Sequence, residues 1–389
     1  MRCGRALAAG LLAGVAALAG AAMPHVVAQV VAQASRQMPV FEVDQSWPTL
    51  PNNWVLGQVP GIAVDRQDHV WILHRPRTVP EAQRARAAPA VIEFDENGRF
   101  VNAWGGPGAG FDWPDSEHGI FVDYKDNVWV GGSSPTSNSL TKRSDDMLVK
   151  LTNRGRFLLQ IGGPDKSQGN KDTMSVNKPA DVFVYPKTNE LFVADGYGNR
   201  RVIVFDADTG AFKRMWGGFG NVPLDAPAAG RAGAPAALET SGEGPQQFGG
   251  PVHSVKVSND GLVYVADRAN RRIQVFDVDG KYRTQGFINR AGPNSNSVAG
   301  LAFSPDREQR FLYVADYGNS RVVILDRTTL EVLYQFGETS DKPGDFRGPH
   351  HIAVDSKGNV FVAEVSPGNR AQRFVFKGLT TSRPANALK

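Results

Sequence analysis

Residues 263–267 read VYVAD, and close variants of this run return at 191–195 (LFVAD), 312–316 (LYVAD) and 360–364 (VFVAE). Shorter versions stand at 70–73 (VWIL) and 128–131 (VWVG). Runs of β-branched and aromatic residues that are bounded by polar turn residues are typical of β-strands. A strand sequence that occurs six times predicts a repeat protein.

Each of these strands belongs to a longer repeating unit. Another apolar strand precedes it and two more follow it. The preceding strands begin 46 to 73 residues apart, at Ile62, Ile120, Val182, Val255, Leu301 and Ile352. Four short strands per unit, separated by Gly, Asn and Asp turns, are the pattern of a β-propeller blade. We therefore predict an all-β fold, a six-bladed β-propeller.

The last unit is incomplete, because the chain ends soon after its third strand, Arg373–Lys377. An unassigned apolar run, Val40–Val43, precedes the first unit. We predict that this N-terminal strand completes the sixth blade and closes the ring, which removes an open sheet edge. The predicted organisation is an N-terminal segment at 29–56 that holds this strand, a propeller at 57–379 and a C-terminal tail at 380–389.

Residues 1–28 have the pattern of a secretory signal peptide. Arg2 and Arg5 precede an apolar stretch from Ala6 to Ala22, and small residues continue to Ala28. A membrane anchor is the alternative, but the stretch is at the short limit for a spanning helix. We expect cleavage, a secreted or periplasmic protein, and no membrane association afterwards. The single cysteine, Cys3, would leave with this leader.

The composition excludes two broad classes of protein. Hydrophobic residues make up 41% of the 389 residues and charged residues 21%, which is too apolar for a disordered chain. The 43 Lys and Arg residues nearly balance the 39 Asp and Glu residues and form no basic cluster. We therefore expect no nucleic-acid partner.

Histidines break the repeat at regular intervals. Two residues before the start of each first strand, the six units have Pro60, His118, Ala180, His253, Ala299 and His350. First strands line the central channel, so histidines on alternate blades would meet at one height about 120° apart. Three imidazoles with a free fourth position are a ligand set of catalytic zinc. We predict a zinc site; ordinary channel-lining histidines are the alternative.

Three further side chains are predicted at the same mouth of the channel. The second strand of a hairpin ends beside the start of the first, and Arg75, Tyr197 and Arg268 follow second strands without repeating in the other units. Arginine can clamp a carboxylate with two hydrogen bonds, and a tyrosine beside a cation can act as a base. The alternative is that these residues only line the mouth.

The chain resembles the NHL-repeat propellers and, among them, the peptidyl-α-hydroxyglycine α-amidating lyases, from about Gly57 to Lys377. The similarity is carried by short stretches, which are Gly57-Gln58-Val59, His74-Arg75, His118-Gly119-Ile120, Asp195-Gly196-Tyr197-Gly198-Asn199, His253-Ser254, Ala266-Asp267-Arg268, Arg272-Ile273-Gln274 and Pro349-His350. This resemblance implies that His118, His253 and His350 are zinc ligands. It also implies that Tyr197 is the catalytic tyrosine and that Arg75 and Arg268 are active-site arginines.

The resemblance also implies a structural calcium ion, bound through backbone carbonyls at Ile62 and Ile120. The family has a carboxylate after the last zinc histidine, but this chain has His351 there. Calcium prefers carboxylate oxygen, so this change disfavours the ion. In addition, Gly348 stands where the family has a methionine, which leaves less side chain in the pocket.

The implied activity is a zinc-dependent, peptidylamidoglycolate lyase-like cleavage of a carbon–nitrogen bond. An N-acyl-α-hydroxyglycine, as a small molecule or at the end of a peptide, would give a primary amide and glyoxylate. Two alternatives remain. One is a non-catalytic NHL propeller that binds a protein or a glycan, and the other is a metal-dependent hydrolase, such as a lactonase, on the same scaffold.

Overall fold

The computed structural model describes residues 37–137, 139–225, 240–294 and 296–388. The predicted leader at 1–28 and the first residues of the following segment lie outside this part of the chain. The described helices are all short 3₁₀ turns, at Pro76–Thr78, Glu81–Arg86, Gly218–Gly220 and Tyr317–Asn319. None of the helices in these ranges is long and apolar enough to cross a membrane.

The described residues form six antiparallel sheets of four strands each, which we number as blades in chain order. The strands of blades one to three are β2 (Gly61–Val64), β3 (Val70–Leu73), β4 (Val91–Phe94), β5 (Phe100–Trp104), β6 (Glu117–Val122), β7 (Asn127–Gly132), β8 (Met147–Thr152), β9 (Phe157–Gly162), β10 (Asp181–Tyr185), β11 (Glu190–Asp195), β12 (Arg201–Asp206) and β13 (Phe212–Trp216). Those of blades four to six are β14 (Val252–Val257), β15 (Leu262–Asp267), β16 (Arg272–Asp277), β17 (Tyr282–Phe287), β18 (Val298–Phe303), β19 (Phe311–Asp316), β20 (Arg321–Asp326), β21 (Val332–Phe336), β22 (Pro349–Val354), β23 (Val360–Glu364), β24 (Arg370–Thr380) and β1 (Met38–Asp44).

The first strands of the blades form the inner wall of a closed ring. Each of β2, β6, β10, β14, β18 and β22 contacts the first strands on both of its sides, and β22 contacts β2 to complete the circle. The prediction of a six-bladed β-propeller is therefore confirmed.

The N-terminal strand closes the ring as predicted. β1 pairs antiparallel with β24 and is the outer strand of the sixth sheet. Its Phe41 is buried against Tyr313 and Phe336 of blade five, with ring centroids at 5.7 and 6.1 Å. The first and last strands of the fold therefore share one sheet, and the aromatic contacts join that sheet to its neighbour.

The hydrophobic core is divided among the blade interfaces. Six clusters of buried residues can be distinguished in the described ranges, and each lies between two neighbouring blades. The cluster between blades three and four, for example, contains Phe192, Trp216 and Phe276. Because apolar packing holds the blades to one another, polar side chains at the first strands can occupy the channel.

Candidate functional site

The three predicted histidines each lie at an irregularity in an inner strand. The pairing with the neighbouring strand shifts at His118 in β6, at His253 in β14 and at His350 in β22. Such a β-bulge leaves a residue out of the ladder and re-aims its side chain. All three imidazoles are buried and meet in the channel, where their ligand nitrogens lie within 4.8 Å of one another.

Hydrogen bonds to the next blade fix the orientation of each imidazole. The Nδ1 atoms of His118, His253 and His350 lie 2.9, 3.1 and 2.7 Å from the carbonyl oxygens of Ala180, Ala299 and Pro60. These carbonyls belong to the blades that lack a histidine at this level. A carbonyl only accepts, so Nδ1 carries the proton in each ring and Nε2 presents a lone pair to the axis.

This arrangement fits a bound metal ion. Nε2 of His253 lies 3.1 Å from Nε2 of His350, and two lone pairs at that distance repel unless a cation lies beside them. Two nitrogens bound to a tetrahedral zinc ion would be about 3.3 Å apart. Burial lowers the pKa of all three imidazoles well below its usual value, and the neighbouring histidines and the charge of Arg268 oppose protonation further. The rings are therefore neutral, as metal ligands must be.

Tyr197 is the hydroxyl group next to the histidines. It follows β11, and its Oη lies 2.9 Å from Nε2 of His118 and 3.2 Å from Nε2 of His253. Nη1 of Arg268 donates to the same oxygen at 3.2 Å. The structure therefore places this phenol between two histidines and a guanidinium group, where it can exchange a proton with a bound molecule.

The two predicted arginines have different surroundings. Arg75, which follows β3, donates from Nε to the carbonyl of Glu117 at 2.7 Å, from Nη1 to Gln58 at 2.6 Å and from Nη2 to Ser133 at 3.2 Å. Burial lowers the pKa of its guanidinium group. The side chain of Arg268, which follows β15, makes one hydrogen bond among the described residues, the one to Tyr197.

A cavity of about 260 Å³ opens over these side chains. Its walls combine metal-ligating, cationic and hydroxyl groups, contributed by Gln58, Arg75, His118, Ser133, Thr136, Ser137, Tyr197, Arg268, Tyr317, His350, Val365 and Ser366. Five of the six predicted zinc-ligating and catalytic residues line it, and His253 lies beneath His118 and Tyr197 in contact with both. The structure thus brings all six together.

The channel level beneath the histidines is buried and carries three polar side chains. It consists of the residues that follow the histidine register, which are Gly61, Gly119, Asp181, Ser254, Gly300 and His351. The carboxylate of Asp181 accepts hydrogen bonds from Ser254 Oγ and from Lys256 Nζ, both at 2.6 Å. The pKa of His351 is lowered mainly by burial, and its Nε2 lies 4.0 Å from Asp181 Oδ1.

These residues do not fit the calcium ion that the family resemblance implies. The single carboxylate at this level already holds the ammonium group of Lys256, and His351 supplies no oxygen. Ile62 and Ile120 are buried in β2 and β6, and their backbone carbonyls would add no anionic ligand. The ligands present at this level therefore do not suit a calcium ion.

The other described histidines have structural partners. His74 is buried, accepts a hydrogen bond from the backbone of Gly57 and reaches the carbonyls of Ala88 and Pro89 at 3.0 Å. His69 pairs with Glu93 at 2.8 Å. Asp65 lies close enough to His69 and Glu93 to form a second group of possible metal ligands with them. It accepts hydrogen bonds from its own turn and from Trp71, so its oxygens are already engaged.

Sequence reasoning missed Ser133, Tyr317 and Ser366 in the cavity wall. Tyr317 directly follows β19 as Arg268 directly follows β15, so the register that identified Arg268 also contained the signal for Tyr317. Ser133 and Ser366 also lie on connections after second strands, but serine is common in such turns and gives no sign of a role in the site. That these two serines face the cavity follows only from the tertiary structure.

Comparisons with known proteins agree with this architecture. The NHL repeat model matches residues 252–276, which span the first strand and most of the next two strands of blade four. Mouse NHL repeat-containing protein 3 is 28% identical over 349 residues, which cover 87% of this chain and 84% of the mouse protein. The probable peptidyl-alpha-hydroxyglycine alpha-amidating lyase pgal-1 of Caenorhabditis elegans is 25% identical over 355 residues, covering 87% and 89%.

A solved structure supports the fold independently. A streptogramin B lyase superposes with a TM-score of 0.50 at 13% identity, covering 87% of this chain and 98% of the lyase chain. The chain is therefore a six-bladed β-propeller that matches the NHL repeat at residues 252–276 and resembles the peptidyl-α-hydroxyglycine α-amidating lyases.

Proposed function

We propose that this protein is a zinc-dependent lyase that cleaves the carbon–nitrogen bond of an N-acyl-α-hydroxyglycine and releases a primary amide and glyoxylate. The observation that carries the proposal is the convergence of three neutral imidazole nitrogens beside the hydroxyl of Tyr197 in an arginine-lined cavity. Similarity to proteins named as amidating lyases supports the choice of reaction.

Nε2 of His118, His253 and His350 would hold the metal ion. Neutral imidazoles suit zinc, and three of them leave a coordination position free for a substrate oxygen. A bound zinc ion supplies Lewis-acid chemistry, which makes a substrate hydroxyl more acidic. The histidines themselves hold no proton at Nε2, so they cannot donate one to the substrate.

Tyr197 Oη is the group placed to take the proton of the α-hydroxyl. When that proton leaves, the carbon–oxygen bond becomes a carbonyl and the carbon–nitrogen bond breaks. Tyr197 then returns the same proton to the nitrogen, which takes the electrons of the broken bond and leaves as the primary amide, and the carbon leaves as the aldehyde of glyoxylate. Arg268 donates to the same phenolic oxygen and thereby stabilises negative charge on it.

The arginines account for a substrate with a carboxylate. Arg75 and Arg268 both line the cavity, and guanidinium groups match the geometry of a carboxylate. Hydroxyl groups of Ser133 and Ser366 complete the polar wall. The cavity of about 260 Å³ admits the hydroxyglycine end of a substrate, so the acyl part would extend towards solvent, whether it is small or a peptide.

The test combines metal analysis with turnover. Purified protein is expected to contain one zinc per chain and to release glyoxylate from an N-acyl-α-hydroxyglycine. Tyr197→Phe is expected to retain zinc and to lose about 10²–10⁴-fold in kcat, the usual contribution of general acid–base catalysis. Tyr124→Phe is the matched control, because the Tyr124 hydroxyl binds Asn189 away from the cavity.

Other outcomes would select an alternative. Zinc without glyoxylate release, but with hydrolysis of a lactone or ester in the same substrate panel, would identify a hydrolase. A metal-free protein would favour a non-catalytic propeller, as the mouse relative is named only for its repeats. Full turnover by Tyr197→Phe would remove Tyr197 as the base.

We also propose a secreted or periplasmic location, which rests on the predicted leader at 1–28. Amino-terminal sequencing of the exported protein tests it, and a mature start near residue 29 is expected. Recovery of the full-length chain in the cytoplasm alone would contradict it.

A further inference from the structure

We propose that Tyr317 is a positioning residue, which holds the side chain of Arg268 in place to bind an anion in the cavity. The identification of this anion as a substrate carboxylate rests on the proposed function. Tyr317 lies at the start of the 3₁₀ turn Tyr317–Asn319, directly after β19. Neither the histidine register nor the predicted active-site residues include it. Its ring forms a wall of the cavity between Arg268 and His350.

The contact between Tyr317 and Arg268 is a stacking contact. Cζ of Arg268 lies 4.3 Å from the centroid of the Tyr317 ring, whose centroid is 6.2 Å from that of His350. A guanidinium group at this distance is attracted to the ring face by a cation–π interaction. This contact uses the charge of the guanidinium group and not its N–H groups, so the donors other than Nη1, which binds Tyr197, remain available.

Arg268 has unused donors in that plane. Its Nε is buried and has no hydrogen-bond partner among the described residues, and its one side-chain hydrogen bond goes from Nη1 to Tyr197. An unpaired buried donor is costly. Arg75, by contrast, already donates to Glu117, Gln58 and Ser133. Of the two cavity arginines, Arg268 is therefore the one with donors left for a carboxylate.

The space for the ring comes from Gly348, two residues before His350. Gly348 has a φ of +77°, and a Cβ atom built on it would lie 3.4 Å from Cε2 of Tyr317. A longer side chain here would have to displace the tyrosine ring or fill the cavity. The positive φ favours glycine at this position, and the missing side chain leaves the cavity beside the ring open.

The expected consequence is weaker binding of anions when the ring is lost. A cation–π contact shielded from water contributes enough that its removal weakens binding by about five- to thirty-fold. The effect should fall on KM for a substrate with a carboxylate more than on kcat, because Tyr197 and the histidines remain, although Arg268 also donates to Tyr197. A neutral ligand, in which an amide replaces the carboxylate, should bind equally to both proteins.

The experiment compares Tyr317→Leu with Tyr317→Phe, which keeps the ring and loses the hydroxyl. Glyoxylate binding to the zinc-loaded protein is measured by calorimetry, with zinc content and unfolding temperature recorded for each variant. The matched control is Phe287→Leu, because Phe287 in β17 stacks on Arg290 at 3.7 Å outside the cavity. Only Tyr317→Leu is expected to weaken glyoxylate binding.

Equal glyoxylate binding by wild type and Tyr317→Leu would overturn the proposal. It would also be overturned if Tyr317→Phe lost as much glyoxylate affinity as Tyr317→Leu, because the hydroxyl and not the ring would then be responsible. The same holds if wild-type protein fails to bind glyoxylate. Weaker binding in Tyr317→Leu without any turnover of N-acyl-α-hydroxyglycine would support the anion receptor and reject the lyase assignment. The two proposals therefore fail separately.

Discussion

The ion pair beneath the histidines gives a quantitative prediction for Lys256→Met. Nζ of Lys256 lies 2.6 Å from Oδ2 of Asp181, and the exposed fractions of the two side chains are 15% and 1%. Methionine keeps most of the length of the lysine side chain but removes its charge, and it leaves the Asp181 carboxylate buried without a cation.

The expected loss of stability follows from the remaining contacts. Breaking a buried ion pair from one side costs about 3–5 kcal/mol. Asp181 would retain hydrogen bonds from Ser254 Oγ and the backbone of Val182, which places the expected loss near the lower limit, about 3 kcal/mol. Replacing both partners, in Asp181→Asn with Lys256→Met, should recover part of it, since neither charge then remains buried.

The assay is equilibrium unfolding in guanidinium chloride, with the free energy of unfolding extrapolated to water. Lys213→Met is the matched control, because Lys213 is 35% exposed and pairs with Glu190 at 3.5 Å; it should cost less than about 1 kcal/mol. Calcium should not stabilise the wild-type protein. A loss below about 1 kcal/mol for Lys256→Met would refute the reasoning, and so would a calcium-dependent rise in wild-type stability.

Three further outcomes are expected. His253→Ala should reduce zinc content to near zero, and chelation of zinc from the wild type should lower its unfolding temperature, because a metal bound only to the folded state stabilises it; unchanged zinc in His253→Ala would refute the predicted site. Phe41→Ala should cost about 3–5 kcal/mol in unfolding free energy, since Phe41 is 5% exposed and joins two blades; a loss under about 1 kcal/mol would show that β1 does not hold the ring closed. Burial raises the pKa of Asp316 to about 6, so the folded state holds a proton that the unfolded chain releases near pH 4. Stability should therefore fall as pH rises from about 4 to 6, and Asp316→Asn should remove this part of the pH dependence, which unfolding curves across that range measure.

The repeat made most of the fold predictable. Recurring strands such as Val263–Asp267 and Phe311–Asp316 share a register, so the blade count, the inner strands and the closing role of Val40–Val43 all followed from spacing. The same register showed that the histidines are exceptions to the repeat. Residues that hold a repeat fold together recur in every unit, whereas histidine occupies this position only in alternate units.

The roles of single side chains at the mouth were less predictable. Arg75 and Arg268 occupy equivalent places after second strands, and nothing in the repeat pattern distinguishes their roles. Their partners come from elsewhere in the fold: Arg75 donates to Glu117 and Ser133 of blade two, and Arg268 stacks on Tyr317 of blade five. Contacts between blades depend on the orientation of neighbouring sheets, which spacing along the chain does not encode.

By itself, the sequence determined the number of blades, the strand that closes them and the alternate blades that carry histidine, because each of these depends on a period along the chain. The tertiary structure alone decided which nitrogen of each histidine faces the axis, since the carbonyls of Pro60, Ala180 and Ala299 that fix this choice belong to adjacent blades. It also decided that Lys256 pairs with the carboxylate of Asp181 beneath the histidines. Both depend on distances between first strands of different blades, which only the closed ring sets.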